Sequence, residues 1–504
     1  MKSSTRKILW LCLATLLSAC GADENEGAEL DGGSSNVAQA GAQDFAEFRA
    51  IVEAGGIPSP DVLEPLGFFA EHGMPMPPAD CGQAICLHPS LAVAPRFDDS
   101  NWTMAYVTMN TAVDPSELER PPLNLVVATE PELLREGTAT FGGLLDALRP
   151  EDRVTFANLR GGTAVPLDGP FTAEEAATFL TEWRALPDDG SFYAGLVGAS
   201  KGLDARLSEV ARRLLIVTDG DLSANDDPER IVALAEGLAT GGTAIGVVGF
   251  GEDYRALVPK AIGTLGAGTY SYAADLGELS QALVVEGETA LYPLATEFEV
   301  RVIPSEGYRV GRIYGAARAR QRGEGVILAM PALFIGQRSG AEPAPGGSRR
   351  GGGGGLFIEL RADRSLGIPA NRPAFRVEAA WTDAGGPATQ SHEVINALPA
   401  GNNPTGMWPS FSSPDYGKAF MVLNMFLAFD ASVRFFDGGD CSRAIGVVDM
   451  MRPSVEGWLG NFDGDVDIRE DHVLLQQLRA NLEATCANSR SVEPRGSGMG
   501  CMFL

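Results

Sequence analysis

Histidine and lysine are scarce in this 504-residue chain: four His, at positions 72, 88, 392 and 472, and five Lys. With so few imidazoles, no Ser/His/Asp or Cys/His constellation emerges, and the chain is not expected to be an enzyme. His72 and His88 read as surface or core-rim residues. There is no CxxC repeat, so zinc is not expected. Base is short overall: 39 Lys and Arg face 66 Asp and Glu, a net charge of −27. That balance argues against nucleic-acid binding and against lying flat on anionic lipid. Past the N-terminus no stretch approaches about 18 apolar residues free of charge, so no spanning helix is expected. Gly161-Gly162 and the five glycines at 351–355 lack the Lys and Ser/Thr of a phosphate loop.

What is present begins with an export signal. Lys2, Arg6 and Lys7 precede a short apolar core, Ile8 to Leu17, and then Leu17-Ser18-Ala19-Cys20. The last four residues resemble the bacterial lipobox, which implies a signal peptide over 1–19 and an acylated, palmitate-bearing Cys20. Gly21 rather than Asp follows, and by the same resemblance the outer membrane is favoured over the inner. Residues 20–43 are small, polar and acidic, and read as a disordered tether. The lipid is then the membrane contact, with no nucleic-acid partner. Of the remaining cysteines, Cys81 pairs plausibly with Cys86 and Cys441 with Cys486, as suits an oxidising compartment. Cys501 is left over.

Residues 214–221 read Leu-Leu-Ile-Val-Thr-Asp-Gly-Asp. A continuous apolar run ending in an acidic turn is the pattern of a buried parallel strand meeting the ligand-binding edge of an α/β sheet. Strand patterns at Leu123–Thr129, Val154–Leu159, Leu214–Thr218, Thr243–Phe250 and Thr269–Tyr272 alternate with helical ones. A doubly wound parallel sheet with helices on both faces is expected over 119–291. Residues 44–118 read as an α+β module and 292–398 as a β-sandwich-like region interrupted by a Gly-rich loop at 339–355. Residues 399–487 read as a helical segment, and 488–504 as a disordered tail. The Asp463-Gly-Asp465-Val-Asp467 run lacks the Gly and Glu of a calcium loop and reads as a solvated acidic loop.

The Thr-Asp-Gly turn resembles that of von Willebrand factor type A (vWA) domains. The order of Ile57-Pro58-Ser59-Pro60-Asp61, Phe68-Phe69, the TDGD turn, Gly249-Phe250-Gly251 and the Phe420–Met451 helical region resembles the YfbK-like bacterial vWA lipoproteins over some 400 residues. The resemblance implies a Mg²⁺ site (MIDAS) built from an Asp-x-Ser-x-Ser loop, a Thr and the turn Asp. Here Glu130, Glu132 and Leu134 stand at the first loop. Phe192, or Ser191 with a one-residue shift, stands at the Thr, and Asp219 at the turn. The site is expected to be degenerate and no cofactor is expected. If Mg²⁺ binds, its implied donors are Glu130, Ser191 and Asp219. The expected function is a lipid-anchored envelope binding protein. It would contact an envelope protein partner through Glu130, Glu132, Ser191, Asp219 and Asp221, read as a bare acidic patch that favours a basic loop. The alternatives are a structural envelope component with a vestigial vWA top, or retained Mg²⁺-dependent adhesion.

The lipobox is directly testable. Mass spectrometry of the mature protein should find an acylated Cys20 at its N-terminus, and Cys20→Ala should release the chain from membranes or stop its processing. An unmodified N-terminus elsewhere refutes the anchor.

Overall fold

The computed structural model describes residues 35–489, apart from positions 40, 43–44, 75, 96, 98–100, 115–117, 162–167, 182–189, 204–209, 252, 266–267, 317–318, 339–354, 363–372, 384–387, 397–409 and 412–415. Cys20, the signal, Cys501, the 488–504 tail beyond Ser489 and almost all of the Gly-rich loop lie outside the described residues.

Two sheets organise the chain. The first holds β2 (Gly41–Ala42), β5 (Leu123–Thr129), β6 (Arg153–Asn158), β7 (Asp168–Phe171), β8 (Ala211–Thr218), β9 (Thr243–Phe250) and β10 (Thr269–Ala273), in the order β2-β10-β9-β8-β5-β6-β7. All neighbours are parallel except β6 and β7. β5 is buried along its whole length, as its apolar stretch Leu125 to Ala128 predicts. Helices α3 (Pro131–Leu134), α4 (Thr138–Asp146), α5 (Ala173–Thr181) and α9 (Leu276–Val285) pack on one face around Leu125, Val127, Leu215 and Val217. Helices α6 (Phe192–Ser200), α7 (Pro228–Thr240) and α8 (Leu257–Gly263) cover the other around Val126, Ala128, Leu214 and Ile216. This is the expected doubly wound, vWA-like arrangement.

The second sheet is antiparallel and has 11 strands. Its members are β1 (Ser35–Gln39), β3 (Cys86–Pro95), β4 (Asn101–Thr111), β11 (Ala295–Pro304), β12 (Tyr308–Tyr314), β13 (Ala319–Arg322), β14 (Gly325–Arg338), β15 (Leu356–Ala362), β16 (Pro373–Asp383), β17 (Ala388–Asn396) and β18 (Ser410–Phe411). It curves around a shared core that includes Val37, Val107, Phe298, Leu333, Ile358 and Trp381. Helices α1 (Ala46–Glu53) and α2 (Pro65–Ala70) pack on a C-terminal bundle of α10 (Tyr416–Asp437), α11 (Cys441–Asn461) and α12 (Val466–Ser489). Phe45, Phe48 and Phe68 pack tilted or edge-on around Phe429 there, with centroids 5.4–5.9 Å from it.

These contacts alter the expected organisation. Residues 35–39, read as tether, form β1 between β4 and β14, because Val37 supplies a buried apolar side chain to the sheet core. The N-terminal and β-sandwich-like segments share one sheet, since β4 pairs with β15 across some 250 residues of sequence. The stretch Gly417–Asp437 is long and apolar enough to cross a membrane, yet most of it is buried within the fold. The Asp463–Asp467 loop is not merely solvated. Lys418 Nζ lies 2.9 Å from both Asp465 Oδ1 and Asp467 Oδ2, while Trp458 Nε1 donates to Asp465 and Gly73 N to Asp467. His72, expected at the rim, is fully buried and bridges Phe68 O and Asp471 Oδ2, each at 2.7 Å.

The chain passes between the sheets after β1, after β2, after β4 and after α9, and the last of these crossings carries a buried ion pair. Arg213 Nη2 of β8 donates to Glu286 Oε2 at 2.8 Å, Thr269 Oγ1 donates to the other carboxylate oxygen, and the guanidinium lies 5.7 Å from the Phe334 ring of β14. Gly246 makes room for it, since a Cβ there would stand 2.7 Å from Arg213 Nη2.

The two cysteine pairs, Cys81–Cys86 and Cys441–Cys486, are bonded. The second joins the start of α11 to the end of α12 over 45 residues of sequence. Replacing both its cysteines by Ser should lower the unfolding free energy by roughly 2–5 kcal/mol in denaturant titrations. A peptide map under non-reducing conditions should join the same pairs.

Candidate functional site

Parallel strands end together, so the residues that follow them meet at one rim. Glu130 follows β5, Asp219 follows β8 and Arg160 lies just past β6. β5 runs between the other two strands. Sequence reasoning placed Glu130 and Asp219 at this edge, and there they are. Ser191 arrives with the loop before α6, because Gly190 N donates to Arg160 O at 2.7 Å.

Arg160 was not anticipated, and it organises the site. Its Nη2 reaches Asp219 Oδ1 at 3.1 Å, with its side chain 11% exposed. To do so it crosses two strand spacings, about 10 Å, over the end of β5, where Glu130 sits. Glu130 is buried, and its Oε1 accepts a hydrogen bond from Thr218 Oγ1 at 2.5 Å. Its Oε2 has no hydrogen-bond partner among the described residues. Burial pushes its carboxyl up to about 8; the Thr218 hydroxyl opposes the shift, nearby Asp219 adds to it and Arg160 offsets it. At neutral pH Glu130 is therefore mostly a neutral acid.

The remaining acids are also provided for. Asp221 Oδ1 meets Arg255 Nη1 at 2.9 Å, in a pair whose side chains are 70% (Arg) and 49% (Asp) exposed. Gly220, at φ +72°, allows the turn between the two acids; a Cβ there would strike Arg255 O at 2.3 Å. Arg255 N donates to Asp219 O at 2.9 Å, which stitches the two loops together. Asp226, unremarked in the sequence, accepts from Phe192 N, Tyr193 N, Ser223 N and Ser223 Oγ. Burial raises its carboxyl, but these donors outweigh it and hold the group below its ordinary value.

Two expectations are thereby corrected. The edge is not a bare acidic patch: Glu130 is buried, and Asp219 and Asp221 each have their own arginine. Glu132 does not join the group; it is 54% exposed and faces Arg135 at 3.9 Å, because the first turn of α3 carries it outward. Nor do the side chains fit Mg²⁺, which needs near-ideal octahedral oxygen donors. Leu134 and Phe192 are fully buried in the two cores flanking the sheet. Ser191 Oγ caps α6 by accepting from Ala194 N at 3.1 Å, and a guanidinium already lies on Asp219. Arg160 had one sequence signal, a basic residue just past the strand next to β5. Among 34 arginines that signal does not stand out.

No family model matches the chain, and no curated protein matches it. Solved structures do resemble it. A von Willebrand factor type A protein from Catenulispora acidiphila is 15% identical at a TM-score of 0.49, covering 77% of this chain and 89% of that one. The ArnB paralog VWA2 from Sulfolobus acidocaldarius is 12% identical at 0.39, covering 79% and 97%. BatB from Bacteroides thetaiotaomicron is 15% identical at 0.27, covering 32% of this chain and 95% of that chain.

Glu130 gives the site a pH signature. Its folded value of about 8 lies above the 4.5 of a free glutamate, so the folded state keeps a proton that the unfolded chain loses. Its contribution to stability is complete below about pH 4.5 and is lost as pH rises towards 8. Glu130→Gln, which keeps the Thr218 hydrogen bond, should flatten this slope. It should raise stability at pH 7 by up to about 3 kcal/mol. Denaturant titrations of both proteins at pH 5 and pH 8 check this; parallel pH dependences would contradict the burial argument.

Proposed function

We propose that this chain is a lipid-anchored cell-envelope binding protein whose parallel-sheet edge contacts a protein partner without a metal ion. The observation that carries the reading is the Arg160–Asp219 ion pair. It places a fixed cation on the carboxylate that the vWA resemblance assigns to Mg²⁺. A guanidinium is weakly hydrated and satisfies that charge at a smaller dehydration cost, whereas Mg²⁺ surrenders its waters reluctantly.

The stitched loops around Asp219 and Arg255 support a docking role in another way. A surface already held in shape loses little freedom when a partner lands on it. Leu257, 81% exposed at the start of α8, stands two residues beyond Arg255 and is the most exposed large hydrophobic side chain among the described residues. Cys20 supplies the anchor in this proposal, with the outer membrane the favoured location.

Two measurements test it. Millimolar Mg²⁺ or Mn²⁺ should leave the melting temperature unchanged. A cation at a hundred times its dissociation constant would add about 2.7 kcal/mol, so a clear rise that Asp219→Ala abolishes would restore a metal-dependent site. A photo-cross-linking residue at position 221 should trap an envelope protein in cells. Trapping should be lost when Leu257 and Arg255 are both replaced by Asp. Trapping only from the antiparallel sheet or the helical bundle would instead support the structural reading.

A further inference from the structure

The outer face of the antiparallel sheet departs from the acidity of the rest of the chain. Its register lines up Arg320 of β13, Ile327 of β14, Arg301 of β11 and Glu378 of β16 in one row. In the neighbouring row Arg322 lies opposite Gly325, and Ile303 lies opposite Arg376, itself opposite Val394 of β17. Residues directly opposite one another share a face. Four guanidiniums therefore stand on one surface roughly 15 Å across, three strand spacings wide.

Arg301 and Arg376 each pair with a glutamate, Glu299 and Glu378, at 2.9 Å, and each stays 44% exposed. Arg320 and Arg322 are exposed and have no ion-pair or hydrogen-bond partner among the described residues. Ile303 and Ile327 are half-buried between them, and Val394 is 49% exposed. Among the described residues β13 pairs only with β14, and its other edge has no strand partner among them.

Charges on an edge strand guard against unwanted strand addition. Either sign serves that purpose, and this chain has acid to spare. Here the edge carries two arginines unpaired among the described residues, and two more, each paired with a glutamate, stand on neighbouring strands of the same face. We propose that this face is a docking surface for an extended acidic segment of a partner protein, lying along β13 with its carboxylates on Arg320, Arg322, Arg301 and Arg376. Backbone pairing to the β13 edge supplies affinity and the arginines supply selectivity.

Charge and reach select that occupant. A broad anionic surface, a membrane or a nucleic acid, would also bring the chain's acidic remainder within a Debye length of about 8 Å and be repelled. A single narrow segment touches only the arginine face. The chain's own acids at 23–31 are poorly placed. They would enter at Ser35, which pairs with Arg338, eleven residues along β14 from Ile327. That distance is about 36 Å, close to the full extension of residues 23–35.

Fluorescence anisotropy tests the proposal with a labelled hexapeptide of alternating Glu and Thr, and the same peptide with Lys for Glu. The acidic peptide should bind, more weakly as salt rises, and the lysine peptide should not. Arg320→Glu with Arg322→Glu should weaken binding roughly tenfold or more. Arg320→Gln with Arg322→Gln should weaken it less, with both variants melting like the parent. The proposal is overturned if the acidic peptide does not bind. It is equally overturned if binding survives the charge reversal, or if phosphatidylglycerol vesicles or a single-stranded oligonucleotide bind through the same arginines instead.

Discussion

A carboxylate taken out of water must be paired or protonated, and this constraint shapes the molecule at nearly every junction. Acids outnumber bases by 66 to 39, so folding has to place a minority of cations where acids are buried. Arg213 meets Glu286 where the two sheets join. Arg120 holds Asp152 beneath β5, Arg49 holds Glu71 beside α2, and Lys418 holds Asp465 and Asp467 at the head of α12. Glu130 takes the other route and keeps its proton. The rim of the parallel sheet obeys the same rule as the interior. Two sequence patterns that suggest a divalent cation, at Asp219 and at Asp463–Asp467, both hold a side-chain cation of the chain itself.

The parallel sheet was legible because its strands are buried on both faces and read as continuous apolar runs; β5 and β9 have the expected boundaries. Strands exposed on one face were harder. β12 and β13 are short, polar and arginine-rich, and β17 begins Ala-Thr-Gln-Ser-His. No apolar run marks them, and their register is set by partners remote in sequence. Pro453 ordinarily ends a helix, yet α11 continues through it to Asn461, which no local sequence signal announces. At the site, Glu130 and Asp219 could be placed because each follows a recognisable strand. The arginine on Asp219 could not, because a salt bridge between loops 59 residues apart leaves no periodic trace.

The division into consecutive modules failed for a related reason. Composition changes along the chain, but contacts do not respect the changes. β3 and β4 complete a sheet whose other long strands lie some 200 residues or more downstream, and α1 and α2 complete a bundle whose helices come last. Asn481 of α12 donates to the carbonyls of Val52 and Gly56. The doubly wound unit sits between the two halves of a second unit and is inserted into it, rather than following it.

That arrangement decides how the molecule bears load. β1 lies inside the antiparallel sheet, bonded to β4 on one side and β14 on the other, and the chain leads from it directly to β2 in the parallel sheet. Tension arriving through the residues before Ser35 along the strand axis would shear both ladders at once instead of peeling an edge strand bond by bond. A pull on the N-terminus is therefore spread across the middle of the fold, and the rim of the parallel sheet beyond β8 is kept out of the line of force.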